Sequence, residues 1–253
     1  MKILSIFSHK ICLQNRIDVA KFASNVITEQ LSVDENSVLG LATGSTPEQT
    51  YRELVNKHIS GQNSWSQVRT VNLDEYYGLD RNDPQSYHHY MQVHLFNHVD
   101  IPECNTLLPN GTTSDPAAEG RNYEQKIVDL GGIDLWLVGI GSNGHIAFNE
   151  PGSSHDSRTR LVRLSDKTIS DNSRLFEKKT DVPTQAITAG IATIMEARKI
   201  LLIATGKNKS TAIDAALNGP IGPDCPASFL RKHPNCTFVI DEAAAGLCRE
   251  NFR

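Results

Sequence analysis

Long hydrophobic runs, internal repeats and low-complexity stretches are all absent from this 253-residue sequence. No apolar run approaches the roughly 20 residues that a membrane-spanning helix needs, so the sequence predicts no membrane partner. The apolar run from Ile3 to Phe7 ends too early to form the core of a signal peptide, and no small-residue cleavage site follows it. We therefore expect a cytosolic protein.

Cysteine is scarce, and charge of neither sign dominates. The five cysteines are odd in number and widely scattered, which argues against a disulfide framework and gives no zinc-ligand spacing. Lys and Arg total 25 against 29 Asp and Glu, and the net charge of −4 supplies no general attraction to nucleic acid. A local basic pocket for a small anion is compatible with this balance.

Apolar strand-like runs alternate with helical patterns along the chain. The clearest strands are Val38–Ala42, Val68–Leu73, Leu135–Ile140, Ile200–Thr205 and Thr237–Ile240. Helical patterns cover Arg16–Leu31, Pro47–His58, Gln85–His98, Ala117–Leu130, Lys209–Leu217 and Ala227–Lys232. This alternation predicts an α/β fold with a mainly parallel sheet. Because such sheets bind ligands beyond the carboxyl ends of their strands, the residues after each strand are the functional candidates.

The segment 41–47 predicts a phosphate cradle. A buried strand turns through Gly44 into a helix, and such a turn presents backbone N–H groups at the positive end of a helix dipole. Ser45 and Thr46 add hydroxyl groups. The segment lacks the lysine of a P-loop, and a simple helix cap made by Ser45 or Thr46 is an equally good interpretation of this turn alone.

Two carboxylates, Asp74 and Glu75, follow the next hydrophobic strand. Because adjacent side chains at a strand end point in different directions, we do not expect these two to share a proton. One of them would face the cleft as a general base. A solvated turn in which the acids cap the next element is the alternative interpretation.

A glycine-flexed loop follows the strand that ends at Ile140. Residues 139–144 match G-x-G-x-x-G, but the chain breaks at 149–152, before the helix that a dinucleotide fingerprint requires. The loop instead brings an imidazole, His145, close in sequence to the carboxylate Glu150. Such groups suit proton transfer on a sugar.

Further cations and histidines lie elsewhere in the chain. Lys207 and Lys209 follow a strand, and one of them would neutralise an anion held by the first turn. A preceding polar stretch offers four arginines as an additional cation: Arg158, Arg160, Arg163 and Arg174. His94 and His98 have a spacing that can hold zinc, but no third ligand is evident, and we interpret them as half-buried helix residues.

Five segments make the chain similar to the glucosamine-6-phosphate deaminase family. They are LGLATGSTP at 39–47, NLDEY at 72–76, GSNGHIAFNEP at 141–151, SRTR at 157–160 and GIATIM at 190–195. The family converts glucosamine 6-phosphate and water to fructose 6-phosphate and ammonia. The resemblance therefore implies a sugar-phosphate substrate and a requirement for neither an organic cofactor nor a metal.

The resemblance also implies a fold and a set of roles. The fold is a single domain over 1–253, a Rossmann-like, mainly parallel α/β sheet with helices on both faces and a lid of about 161–183 over the site. Asp74 would move the C2 proton to C1. The residues implied for ring opening are His145, supported by Glu150 and Asn143, and those implied for the phosphate are Thr43, Gly44, Ser45, Thr46, Arg174 and Lys209.

Two positions distinguish this chain within the family. Asn143 stands where other members carry Asp or Asn, and an amide cannot polarise His145 as a charged carboxylate would. Some members are hexamers activated by N-acetylglucosamine 6-phosphate. Val162 replaces a lysine of that allosteric site, so we expect weak or absent activation. The sequence is compatible with a homo-oligomer.

Three other functions share part of the pattern. A galactosamine-6-phosphate isomerase would keep both loops, but residues 146–148 and 157–160 favour the glucosamine enzyme. A 6-phosphogluconolactonase is disfavoured because residues 74–76 occur together with the complete segment 149–151. A non-catalytic sugar-phosphate sensor would tolerate loss of the acid–base residues, all of which are present.

Overall fold

The computed structural model describes residues 10–173 and 176–246. Arg174, one of the predicted phosphate ligands, lies outside the described residues. The strands are β1 (Lys10–Leu13), β2 (Val38–Leu41), β3 (Arg69–Asn72), β4 (Asp74–Tyr76), β5 (Thr106–Leu107), β6 (Leu135–Val138), β7 (Arg160–Arg163), β8 (Gln185–Thr188), β9 (Ile200–Ala204) and β10 (Cys236–Asp241). The α-helices are α1 (Arg16–Val33), α2 (Glu48–Ile59), α3 (Tyr87–His94), α4 (Pro116–Asp129), α5 (Asp166–Asn172), α6 (Ile191–Met195), α7 (Ser210–Asn218) and α8 (Glu242–Ala245).

Seven strands form one parallel sheet in the order β1-β10-β9-β6-β2-β3-β5. Strand β6 lies at its centre, where Trp136 is in register with Gly40 of β2 and Ile200 of β9. Since all seven strands run the same way, the turns that follow β2, β6 and β9 meet at one edge. The predicted α/β fold with a mainly parallel sheet is confirmed.

Side chains of the central strands alternate between two cores, one on each face of the sheet. Leu135 and Leu137 pack with α1, α2 and α3, whereas Trp136 and Val138 pack with α4, α6 and α7. This two-sided burial explains why these strands are almost uninterrupted in Val, Ile and Leu. The expected helices on both faces are therefore present.

A second sheet is antiparallel and small, with the order β4-β8-β7. The chain enters it through Leu73, directly after β3. The Leu73 N–H donates to Leu41 O of the parallel sheet over 3.0 Å, and its carbonyl accepts from Ala189 N over 2.7 Å. One residue thus joins the two sheets and fixes where β4 begins.

Several sequence predictions need correction. The helix expected over Gln85–His98 is α3 followed by a separate 3-10 turn, Phe96–His98, because Leu95 leaves helical geometry at φ −143°. The segment 227–232 belongs to a 3-10 helix, Pro226–Lys232, and is not α-helical. Asp74 and Glu75 follow a strand, β3, as predicted, but they also belong to a strand of their own. This strand, β4, is too short to show an apolar alternation. The other predicted elements are displaced at their ends by one or two residues.

No helix within 10–173 and 176–246 is both long and apolar enough to cross a membrane.

Gly40→Ala should destabilise the fold, because a Cβ at this position would lie 2.2 Å from the buried Trp136 indole. We expect a loss of about 1–3 kcal/mol in the free energy of unfolding, measured by urea denaturation. Gly222→Ala is the matched control, since a Cβ there meets nothing within 4 Å. Equal stabilities of the two variants would contradict this assignment of the Gly40–Trp136 contact.

Candidate active site

A cleft of about 160 Å³ lies at the carboxyl ends of the parallel strands. Four chain segments form most of its wall, and each was identified from the sequence by its position after a strand. The lining residues are Ala42, Thr43, Gly44, Ser45, Thr46, Pro47, Leu73, Asp74, Tyr87, Gly139, Ile140, Gly141, Ser142, His145, Ala147, Phe148, Thr168, Asp171, Asn172 and Lys209. The cleft thus brings together all of the predicted phosphate-turn residues, the predicted base, the imidazole and one lysine.

Two tyrosine hydroxyls donate hydrogen bonds to the backbone at the turn after β2, residues Thr43–Thr46. The Tyr51 hydroxyl donates to Ala42 O, and the Tyr90 hydroxyl donates to Gly44 O over 2.7 Å. Gly44 adopts φ +107°, a backbone conformation that favours glycine. Pro47 occupies the N-cap position of α2, and its side chain makes no cap hydrogen bond.

Asp74 and Glu75 project to opposite sides of β4. Asp74 lines the cleft, is 6% exposed, and has a pKa raised well above its ordinary value by burial and by the negative charge of Glu75. Glu75 instead lines a separate cavity of about 730 Å³. Burial raises the pKa of Glu75 to about 7, although backbone N–H groups of Tyr87, His88 and Tyr76 stabilise its carboxylate. The prediction that the two acids point in different directions is confirmed.

His145 sits in the glycine loop with a carboxylate behind it. Its Nδ1 lies 3.5 Å from Glu150 Oε2, which also accepts a 2.7 Å hydrogen bond from Asn143 Nδ2. Asn143 Oδ1 accepts from the His145 backbone N–H over 3.3 Å. Asn143 and Glu150 support the imidazole from outside the cleft wall, whereas His145 itself lines the cleft.

Glu150 remains ionised to low pH in this arrangement. Burial alone would raise its pKa, but hydrogen bonds from His145, Thr168 and Asn143 outweigh burial and lower the pKa to about 2. The Ser165 hydroxyl adds a further donor at 3.0 Å. Asp74, whose pKa is raised, therefore lines the cleft, whereas Glu150, whose pKa is lowered, lies behind His145.

Glycine is required beside the imidazole. A Cβ on Gly141 would lie 2.2 Å from Cε1 of His145, and the Gly141 N–H donates to His145 O over 2.9 Å. Ala147, two residues further on, takes φ 50°, an uncommon conformation for a residue with a side chain. The loop therefore folds back on itself and places His145 in the cleft wall. No helix follows directly after this loop.

Helix α5 supplies site residues that the sequence analysis did not identify. Thr168, Asp171 and Asn172 line the cleft, and Asp171 accepts a 2.6 Å hydrogen bond from the Ser142 hydroxyl. Asn172 donates to the Tyr76 hydroxyl over 2.8 Å. Tyr87 of α3 was missed as well. Helix α5 has seven residues, and Ile169 is the single apolar one among them, so the sequence gave no signal for it beyond its position inside the predicted lid.

The predicted cations divide between the cleft and the surface. Lys209 lines the cleft, whereas Lys207 does not. Arg158 pairs with Glu196 at 2.7 Å and Arg160 donates to Asn149 Oδ1 over 2.9 Å, so neither supplies the additional cation at the turn. Arg163 is exposed and also lies outside the cleft wall.

The histidines of α3 and its following turn make local contacts. The His94 ring lies 4.3 Å from that of Tyr90, and His98 Nε2 contacts Val93 O over 2.9 Å. Within the described ranges, no group of three or more His, Cys, Asp or Glu side chains is arranged to hold a metal ion.

Comparison with known proteins assigns this geometry to a family. Residues 16–239 match the model of the glucosamine-6-phosphate isomerases/6-phosphogluconolactonase family. The chain belongs to this family. A glucosamine-6-phosphate deaminase from Rhodopirellula baltica is 54% identical over 221 residues, which cover 87% of this chain and 88% of the relative. One from Clostridium acetobutylicum is 48% identical over 228 residues, covering 90% and 95%.

Solved structures divide along the two activities in the family description. A monomeric glucosamine-6-phosphate deaminase superposes with a TM-score of 0.93 at 43% identity, covering 94% of this chain and 99% of that one. A 6-phosphogluconolactonase from Trypanosoma cruzi superposes with a TM-score of 0.76 at 23% identity, covering 96% and 97%. The second likeness shows the shared fold alone, whereas the first combines the fold with substantial sequence identity.

Thr168→Val should raise the pKa of Glu150 from about 2, because it removes one donor to the carboxylate. A depressed carboxyl pKa stabilises the fold above its ordinary value of 4.5, and this contribution is lost as the pH falls through about 2. The variant should therefore lose about 1–3 kcal/mol near neutral pH and less in acid.

Carboxyl NMR titration and urea unfolding at several pH values measure both effects for Thr168→Val. The exposed Thr184 gives the control substitution, Thr184→Val. An unchanged Glu150 titration in Thr168→Val would show that the hydrogen bond from Thr168 does not hold the carboxylate.

Gly141→Ala should displace the imidazole of His145, because the added methyl group and the ring cannot occupy the same space. We expect the ring resonances of His145 to change in NMR spectra. His233, whose Nε2 contacts Ala197 O over 2.8 Å, is an internal control, and its ring resonances should stay as in the unsubstituted protein. An unaltered His145 signal would contradict the close packing described for this loop.

Proposed function

We propose that this protein converts glucosamine 6-phosphate and water to fructose 6-phosphate and ammonia. The observation that carries the proposal is the placement of Asp74 and His145 in one cleft with the turn Thr43–Thr46 and Lys209. Deaminases related to the chain at 48–54% identity support the same reaction. The lactonase alternative is supported only by a similar fold at 23% sequence identity.

The phosphate is proposed to bind at the turn Thr43–Thr46. This segment combines hydroxyl groups with backbone N–H groups at the start of α2, and Lys209, which lines the same cleft, adds a positive charge. Phosphate binding far from the reacting carbons supplies energy that holds the open-chain sugar in place. Arg174 stays a proposed additional ligand on the strength of the family resemblance.

Ring opening is assigned to His145. The imidazole can deliver a proton to the ring oxygen near neutral pH, and the permanently ionised Glu150 at 3.5 Å stabilises its protonated form. Asn143 donates to the same carboxylate and so fixes its position without adding charge. This assignment gives the three residues distinct roles in one step.

Asp74 is proposed as the base that removes the C2 proton and returns it to C1. As hydrogen moves from C2 to C1, the amine gives up one proton and O1 gains one, so the amino aldehyde becomes a 2-imino compound. Water then adds at C2 and the C2–N bond breaks, which releases ammonia and leaves the ketose. A carboxylate that is 6% exposed is suited to this transfer because bulk water has little access to its proton.

The segment 161–183 is proposed to act as a lid on a single catalytic domain. Its helix α5 contributes Thr168, Asp171 and Asn172 to the cleft wall, so its movement would open or cover the substrate site. We also propose a cytoplasmic location. The structural relative described as monomeric shows that a homo-oligomer is not needed by every deaminase of this fold.

A coupled assay tests the proposed reaction. Purified protein is incubated with glucosamine 6-phosphate or galactosamine 6-phosphate while ammonia and the ketose phosphate are followed. Ammonia with fructose 6-phosphate from the glucosamine substrate alone is the expected result. Tagatose 6-phosphate from the galactosamine substrate would instead assign the protein to the rival isomerase, and silence with both would direct attention to lactone hydrolysis.

Asp74→Asn should abolish turnover, with kcat falling by about a thousandfold, because the amide cannot accept the C2 proton. The affinity for inorganic phosphate should change little, since the turn Thr43–Thr46 is intact. Asp129→Asn makes the same chemical change on the exposed end of α4 and serves as the control. Turnover close to that of the unsubstituted enzyme would remove Asp74 from the mechanism.

The pH dependence of kcat should also report on Asp74. Burial raises the pKa of this carboxyl well above its ordinary value of 3.8, and only the ionised form accepts a proton. The rate should therefore rise with pH along an acid limb that lies clearly above pH 3.8. A rate that stays constant down to that pH would contradict the assignment.

A further inference from the structure

Glu75 does not line the cleft, yet three backbone N–H groups donate to its carboxylate. Its Oε1 accepts from Tyr76 N over 2.8 Å and from Tyr87 N over 2.9 Å, and its Oε2 accepts from His88 N over 2.9 Å. The residue is only 3% exposed. Two of its three donors are N–H groups of the first turn of α3.

Helix α3 has only eight residues, from Tyr87 to His94. Isolated helices shorter than roughly 12–15 residues are marginal in water, so contacts from outside must hold α3 in place. Glu75 supplies two such contacts at the N-terminus, and the Ser86 hydroxyl supplies a third by accepting from His89 N over 3.0 Å. The position of α3 therefore depends on β4.

The same helix supports the turn Thr43–Thr46. The Tyr90 hydroxyl donates to Gly44 O over 2.7 Å. Tyr87 lines the cleft together with the turn, and its ring stacks on Phe148 at 8° and 5.9 Å. Any displacement of α3 would be transmitted to the backbone and hydroxyl groups of the turn.

We propose that Glu75 is a positioning residue for the phosphate-binding turn. Its carboxylate anchors α3 to β4, and α3 in turn holds Gly44 through the Tyr90 hydroxyl. Strand β4 thereby carries the proposed base on one face and the support of the phosphate turn on the other. The separation between the C2 base and the phosphate group is then set by one backbone segment.

Only a carboxylate fits this role. In its ionised form the group has two acceptor oxygens and no donor of its own, which matches the three N–H groups directed at it. Glutamine would turn an NH₂ group towards at least one of these donors and so lose at least one bond. Aspartate is one methylene shorter and cannot reach the same groups from the same backbone position.

The test uses inorganic phosphate as the probe, with its dissociation constant measured by calorimetry. Glu75→Gln should weaken phosphate binding by about tenfold and raise KM by a similar factor, while kcat changes by less than about threefold. Asp115→Asn is the matched control, because Asp115 also caps a helix, α4, away from the cleft. Phosphate binding by the control should equal that of the unsubstituted protein.

A double-mutant cycle with Tyr90→Phe gives a second measurement. The Tyr90→Phe variant tests the proposal even if Glu75→Gln does not fold. Tyr90→Phe removes only the hydroxyl that reaches Gly44 O and should also weaken phosphate binding. If both residues act through α3, the double variant should bind about tenfold more weakly than the unsubstituted protein, not about a hundredfold. Independent, multiplying losses would overturn the proposed path through the helix.

The inference rests on one part of the proposed function, namely that the turn Thr43–Thr46 binds phosphate. Glu75→Gln that is less stable but binds phosphate normally would reduce Glu75 to a structural cap and leave the proposed reaction standing. Phosphate affinity unchanged in Tyr90→Phe would also overturn the inference. An unsubstituted protein that neither binds phosphate nor turns over the sugar would instead defeat the proposed function, and this inference with it.

Discussion

Leu73 joins two sheets through its two backbone hydrogen bonds, and the geometry of the cleft depends on that junction. Its N–H completes the parallel sheet at Leu41 O, and its carbonyl begins the antiparallel sheet at Ala189 N. The next residue, Asp74, consequently emerges beside the end of β2, where the turn Thr43–Thr46 starts. A base and a proposed phosphate site that are about 30 residues apart in sequence become neighbours because one residue serves both sheets.

The acids around the cleft differ because their surroundings differ. Asp74 is buried, with the negative charge of Glu75 beside it, and both effects raise its pKa. Glu150 is partly buried as well, but His145, Thr168 and Asn143 all donate to it, and its pKa falls to about 2. The surroundings thus raise the pKa of one carboxyl group and lower that of the carboxylate beside the imidazole.

Much of this organisation could be predicted from the sequence, because buried parallel strands have a strong apolar signature. The carboxyl ends of β2, β6 and β9 led directly to Ser45, His145 and Lys209. Strand β4 could not be found in this way, since three residues that include two acids show no apolar pattern, and their pairing with β8 is long-range. Helix α5 and the tyrosines of α3 were missed for a related reason: their roles arise from where neighbouring elements place them.

The central claim is that Asp74 carries hydrogen from C2 to C1 within a cleft that bulk water barely reaches. Glucosamine 6-phosphate deuterated at C2 tests it most directly, with the reaction run in ordinary water and the early fructose 6-phosphate examined by mass spectrometry and NMR. The account predicts that a measurable share of the deuterium is retained at C1, because the accepting carboxylate is only 6% exposed. Ketose product with no deuterium at C1 from the first turnovers onward would contradict it.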